Sequence, residues 1–151
     1  MRSFTERQLD QYRSFHRDHR NRLTHIFGIP AIVVAIDVGT AAVRLPGGLT
    51  LAELLVAATL LLWLWMDVQL GVALAVPLVL VTWGAHLLAA NAPDRVLPVF
   101  LVLFVAGWAL QFYGHSAFEG KRPAFLSNLF QTLVAPLFLM DEAFRAIGLR
   151  H

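Results

Sequence analysis

The chain has 151 residues, 58% hydrophobic and 15% charged, with net charge +2, no cysteine and a mean hydropathy of +0.63. A water-soluble domain is about 45–50% apolar and about 25% charged, so this composition excludes an ordinary soluble globular protein and makes lipid the solvent. Without cysteine there are no disulfides and no thiolate ligands, and any bound metal must be held by nitrogen or oxygen.

Residues 1–25 are polar and contain no apolar core of signal-peptide length. Phe4, Leu9, Tyr12 and Phe15 recur at roughly helical spacing, which predicts a surface helix running into the membrane interface. Four apolar runs follow. The first spans Ile26 to Val43 and ends at Arg44 and the turn Leu45-Pro46-Gly47-Gly48. The second spans Leu51 to Met66, the third Leu70 to Ala90 with Pro77 as a kink, and the fourth Val96 to Tyr113. Each approaches the ~20 residues that cross a bilayer core, the second being short. Asp67-Val68-Gln69 and Asn91-Ala92-Pro93-Asp94-Arg95 make tight turns between runs. The last stretch, Ala124 to Leu149, carries Asn128, Gln131 and Thr132 along one face and Pro136 in its middle. Polar groups in lipid need partners, which favours a re-entrant or interfacial helix pair there over a further span.

The expected fold is therefore one all-α domain over residues 1–151, a polytopic membrane helical bundle. It comprises an interfacial segment (1–25), about four transmembrane helices (26–113) and a C-terminal amphipathic or re-entrant pair (124–149). Arg2, Arg7, Arg13, Arg17, Arg20, Arg22, Lys121, Arg122, Arg145 and Arg150 then fall on one side, and only Arg44 and Arg95 on the other. The positive-inside rule places the basic side and both termini in the cytoplasm. His16, His25 and His115 all lie on that side.

His16 and His25 are nine residues apart, opposite each other and ~13.5 Å apart along an unbroken helix. They can share a metal only if the chain breaks between them, and Asn21 is a candidate break. His19 sits one turn from His16 and either shares its face or is simply solvated. His86 lies inside the third run, as a functional group or a hydrogen-bonded packing residue. Gln111, His115 and Glu119 are spaced to align on one face of a continuing helix. There Glu119 can orient the imidazole, bind metal, or pair with Lys121 or Arg122.

Two blocks decide among these readings: YRSFHRDHRNRLTHIFGIP (Tyr12–Pro30) and WALQFYGHSAFEGKRPAF (Trp108–Phe125). Together they resemble the Mpo-type family of membrane 2-hydroxy fatty acid dioxygenases, from about Tyr12 to Phe144. The residues carrying the resemblance include His16, Asn21, His25, Gly28 and Pro30, then Trp108, Gln111, Gly114, His115, Glu119 and Arg122. The resemblance implies Fe(II)-dependent oxygen chemistry that shortens a 2-hydroxy fatty acid by one carbon, with O2 as co-substrate. It implies His16, His25 and His115 as metal ligands, with the fourth position open to His19, His86, Glu119 or water. Some eukaryotic members carry a histidine directly after the first one, where this chain has Arg17. Glu119 and Asn21 are the expected supporting groups of the catalytic site, and Arg22, Arg122 and Gln111 the expected substrate-binding residues.

The expected partners are the lipid bilayer and the 2-hydroxy fatty acid, in a bacterial inner membrane with the metal site facing the cytoplasm. Two other classes compete: a haem-binding redox protein, for which His86 and His115 are the pair to test, and a non-catalytic membrane scaffold. No phosphate loop, nucleophile elbow or basic arm for nucleic acid is present.

Overall fold

The computed structural model describes residues 3–120, 123, 126 and 128–150. It is all-helical: α1 (Phe4–Ser14), α2 (His19–Ala41), α3 (Leu51–Met66), α4 (Val68–Asn91), α5 (Pro93–Gly114), a π-helical turn (His115–Glu119) and α6 (Phe130–Ala146). Local chemistry sets the ends. Ser3 with Glu6, and Thr50 with Glu53, form capping boxes at the starts of α1 and α3. Asp67 ends α3 and caps α4, so a single residue turns the chain through that hairpin. Arg44 and Thr50 pair across the turn after α2, where Gly47 and Gly48 take positive φ.

Three helices are long and apolar enough to cross a membrane: His19–Ala41, Val68–Asn91, and Pro93–Glu119, which joins α5 to the π turn. The fourth traverse, α3, has 16 residues and reaches only ~24 Å. The outward faces are apolar, with Leu61, Trp65, Val76, Trp83, Val102 and Val105 exposed as a lipid-facing belt. Inside, α2 packs against α3, α4, α5 and α6. One apolar cluster joins Leu9 and Tyr12 of α1 to Phe138 of α6 and Trp63 of α3. A second, of Val38, Ala41, Ala52, Ala85 and Val96, fills the other end.

Two details differ from the sequence expectation. The polar stretch before Ile26 is not interfacial coil or surface helix throughout, because α2 already starts at His19. The break falls at Phe15–Asp18 instead of Asn21, since Asp18 accepts the Arg20 backbone N–H and caps the helix three residues earlier. The C-terminal segment is a single described helix that runs through Pro136, not a pair divided there. Packing against α1, α2 and α4 holds it straight enough to continue.

Parity of the four traverses brings α1, α6, the α3–α4 turn and the π turn to one end of the bundle. Glu119 there accepts the Asp18 backbone N–H at 2.8 Å, across 101 residues. Thr5 donates to the Met66 carbonyl. An ionic lattice ties the same end together around Asp141, which is fully buried. Its carboxylate pairs with Arg13, with Arg145 at 2.8 Å and with Arg150 at 3.1 Å, while Arg150 also reaches Asp67 at 2.7 Å. Glu142 bridges Arg13 and Arg22, both at 3.0 Å. Removing one partner of a buried ionic group leaves the others uncompensated, at a cost of about 3–5 kcal/mol. Asp141→Ala should therefore lower the stability of the detergent-solubilised protein by roughly 3 kcal/mol, read as a fall in thermal midpoint. A loss no larger than that of Arg20→Ala, an exposed ion pair with Asp18, would show that the lattice adds nothing.

Candidate metal centre

His16 sits in the turn between α1 and α2, His25 on α2, and His115 at the first position of the π turn. Each is 1% exposed. The His16–His25, His16–His115 and His25–His115 ring centroids are 4.3, 4.6 and 4.9 Å apart, all edge-on. One ring nitrogen from each lies within 4.8 Å of the others.

The hydrogen bonds fix two of the tautomers. His16 Nδ1–H donates to the Tyr12 carbonyl at 2.7 Å, and His25 Nδ1–H to the Asn21 carbonyl at 2.8 Å. A carbonyl can only accept, so both protons are on Nδ1 and both Nε2 atoms present lone pairs. Those Nε2 atoms face each other at 2.9 Å. Protonation does not relieve the repulsion at His16, because burial pushes its pKa down to about 3. His115 adds a buried Nδ1 with no hydrogen-bond partner. Three neutral imidazoles with lone pairs converging in a buried space fit a divalent cation, and each backbone carbonyl behind a ring holds it at the right tilt.

The surrounding contacts keep this arrangement rigid. The Tyr12 ring stacks on His16 at 4.1 Å and 5°. Arg22 Nε donates to the His16 carbonyl at 3.0 Å and Nη2 to the Arg17 carbonyl at 3.3 Å, which braces the turn from outside. Helices α2 and α5 approach with glycine at the crossing. A Cβ on Gly107 would lie 2.9 Å from the Gly28 carbonyl oxygen, and one on Gly114 would lie 2.4 Å from Asn21 Oδ1. Only bare backbone lets His115 come level with His25.

Glu119 is not aligned with His115 as a continuing α-helix would place it. The π turn inserts one wide i→i+5 turn after Gly114. Glu119 swings to the N-terminus of α2, where Oε1 takes the Asp18 backbone N–H and Asn21 Nδ2 at 3.2 Å. A carboxylate there is stabilised by the helix dipole. Asn21 thus links Glu119 to His25 through its own carbonyl. His19 is exposed on the first turn of α2 and stands outside the histidine group. His86 lies at the far end of the bundle, 3.4 Å from Glu53. That separation removes the His86–His115 pair that a haem would need. Arg122 lies outside the described residues.

A cavity of about 390 Å³ opens from the three histidines, within the range of small-ligand sites. Ile29, Val33, Trp63 and Trp108 form apolar wall, and Gln111 and Gln131 stand among the polar residues. Gln111 Nε2 and Gln131 Oε1 are buried without partners. Gln131 Nε2 is turned away, donating to Gln8 Oε1 at 2.8 Å. The sequence marked Gln131, with Asn128, as a polar pair that resembles the family's C-terminal segment, and it gave no role to Gly107 or to Asp37, which also lines the cavity.

Comparison with known proteins agrees with the site. The chain matches the family model described as 2-hydroxy-palmitic acid dioxygenase Mpo1-like over residues 1–147, and it belongs to that family. It is 30% identical over 142 residues to the 2-hydroxy-palmitic acid dioxygenase MPO1 of Saccharomyces cerevisiae, covering 93% of this chain and 80% of the yeast protein. No solved structure matches it.

Because the crossing depends on bare backbone, Gly107→Ala should force α2 and α5 apart and misalign His25 and His115. The expected readout is loss of bound metal with helical content retained in circular dichroism; unchanged metal content would show that the crossing has slack.

Proposed function

We propose that this protein is a membrane-embedded, iron(II)-dependent dioxygenase that shortens 2-hydroxy fatty acids by one carbon. The observation that carries this reading is the meeting of bare His16 and His25 Nε2 atoms with His115 at the head of a long apolar cavity. The relative's name supplies the substrate class and reaction type, and the site supplies matching chemistry. His16, His25 and His115 would hold the metal, a donor set that suits ferrous iron. Bound there, iron supplies the redox chemistry that lets O2 react with an organic acid. O2 is the oxidant, and the bond between carbons one and two is the one that breaks.

The protein's own groups bind and orient the acid. Gln111 Nε2, buried and unpartnered beside the histidines, donates to an oxygen of the carboxylate. Glu119 and Asn21 keep the start of α2 fixed, and with it the tilt of His25. Arg22 acts on the site through the His16 carbonyl. The acyl chain lies in the cavity, where burial gives ~0.8 kcal/mol per methylene. On this reading the site faces the cytoplasm, which the basic residues at that end of the bundle support, and the membrane is a bacterial inner membrane.

Metal analysis of anaerobically purified protein should find near-stoichiometric iron, lost in each of His16→Ala, His25→Ala and His115→Ala. Oxygen uptake should depend on 2-hydroxypalmitate and be absent with palmitate. Iron retained in any of the three variants, or uptake indifferent to the hydroxyl, would sink the reading. Gln111→Leu should raise KM about tenfold, the loss of one hydrogen bond to a charged group, while iron content stays at the wild-type level. A KM unchanged in that variant would remove Gln111 from substrate binding.

A further inference from the structure

The cavity does not stop at apolar wall. On α2 its lining continues from His25 through Ile29 and Ile36 to Asp37 and Thr40, positions that recur on one side of a 3.6-residue helix. From His25 to Asp37 is twelve residues, ~18 Å along the axis. Asp37 is 4% exposed and lies near the C-terminal end of a membrane-length helix, His19–Ala41. Its Oδ2 accepts from Thr82 Oγ1 at 2.8 Å, whereas Oδ1 is buried with no hydrogen-bond partner. A buried ionisable group inside an apolar helix is expensive and marks function more often than packing.

We infer that Asp37 is the ruler of this cavity and sets the longest acyl chain it accepts. The inference rests on the proposed reading that a fatty acid occupies the cavity with its carboxylate at the histidines. A chain that ends short of Asp37 gains burial along the whole apolar wall. A chain that reaches the Asp37–Thr40 end presses a methyl group against Oδ1 and keeps out the water that would otherwise solvate it. Each further methylene then meets an unsatisfied polar atom where earlier ones met Ile and Val, so affinity stops rising and falls.

The test is binding across a series of saturated 2-hydroxy fatty acids of increasing length, by calorimetry on the full-length protein in detergent, with oxygen uptake measured in parallel. Wild type should show affinity rising with length and then dropping at one homologue. In Asp37→Val and Asp37→Leu the first rejected homologue should bind about tenfold tighter, by removal of one group that would be left unpaired, and the limit should move to longer chains. Asp37→Asn, still polar and of the same shape, should keep the wild-type limit. If both apolar variants fail to purify folded, Val33→Trp is read instead; bulk midway along the cavity should lower the limit. A limit that stays put in the folded apolar variants, or in Val33→Trp, overturns the ruler while leaving turnover and the proposed reaction intact. Acids that bind with a shifted limit but are never oxidised overturn the reaction and leave the ruler standing. No binding by any acid overturns both.

Discussion

The close crossing of α2 and α5 is the constraint on which the rest of the site depends. Gly28 and Gly107 meet backbone to backbone, and Gly114 lies against Asn21 and Thr24. In lipid there is no hydrophobic gain from pressing two apolar helices together, so tight association has to come from van der Waals contact and polar links, which small residues permit. Here the contact also sets register. With α2 and α5 locked along their length, His25 and His115 fall at one level, and the turn before α2 folds His16 back between them. The histidine cluster is thus a consequence of helix packing, with the turn after the first helix supplying the third imidazole.

That arrangement stores an electrostatic conflict. Two Nε2 lone pairs at 2.9 Å repel, and a buried imidazole resists taking the proton that would separate them. The surrounding structure holds the rings in place regardless, through the Tyr12 and Asn21 carbonyls, the Tyr12 stack and the Arg22 brace. Much of this bracing comes from the ionic lattice of α1, α2 and α6. Asp141 and Glu142 anchor Arg13, Arg22 and Arg145, so the covering helices cannot lift without exposing that network. A preorganised donor set of this kind spends folding energy to hold a geometry that would suit a cation.

The sequence disclosed the class and the succession of apolar helices because both follow from composition and run length, which are local. Counting the spans was also enough to place His16, His25 and His115 at one end. Spacing alone left the shared site open, and the resolving feature is non-local: Asp18 caps α2 earlier than Asn21 would, and Glu119 reaches it from 101 residues away. The π turn at His115–Glu119 was hidden for a related reason. Helical periodicity assumes a constant pitch, and the spacing of Gln111, His115 and Glu119 looked regular only under that assumption. Pro136 misled in the opposite direction, because a proline whose helix is held by three neighbours need not divide it. Asp37 was a different kind of omission. An acid inside an apolar run is itself a signal, but it stood far in sequence from every histidine, and only the cavity connects them.

That connection gives the molecule a polarity suited to an amphiphile. At one end are neutral nitrogens and unpartnered amides that can meet a carboxylate and a hydroxyl; along the middle is aliphatic and aromatic wall; at the other end is a carboxyl group. A fatty acid in a bilayer already stands with its head at the surface and its tail inward, so on the proposed reading it would enter such a cavity without turning over. The head would then meet the histidines at the basic end of the bundle, and the tail would be measured along the cavity. That arrangement would separate two tasks that conflict in one pocket. Chemistry needs polar, preorganised groups around the head, and selection by length needs an apolar path with a defined end. The bundle would provide both because α2 carries His25 near its start and Asp37 near its end, and both line one cavity.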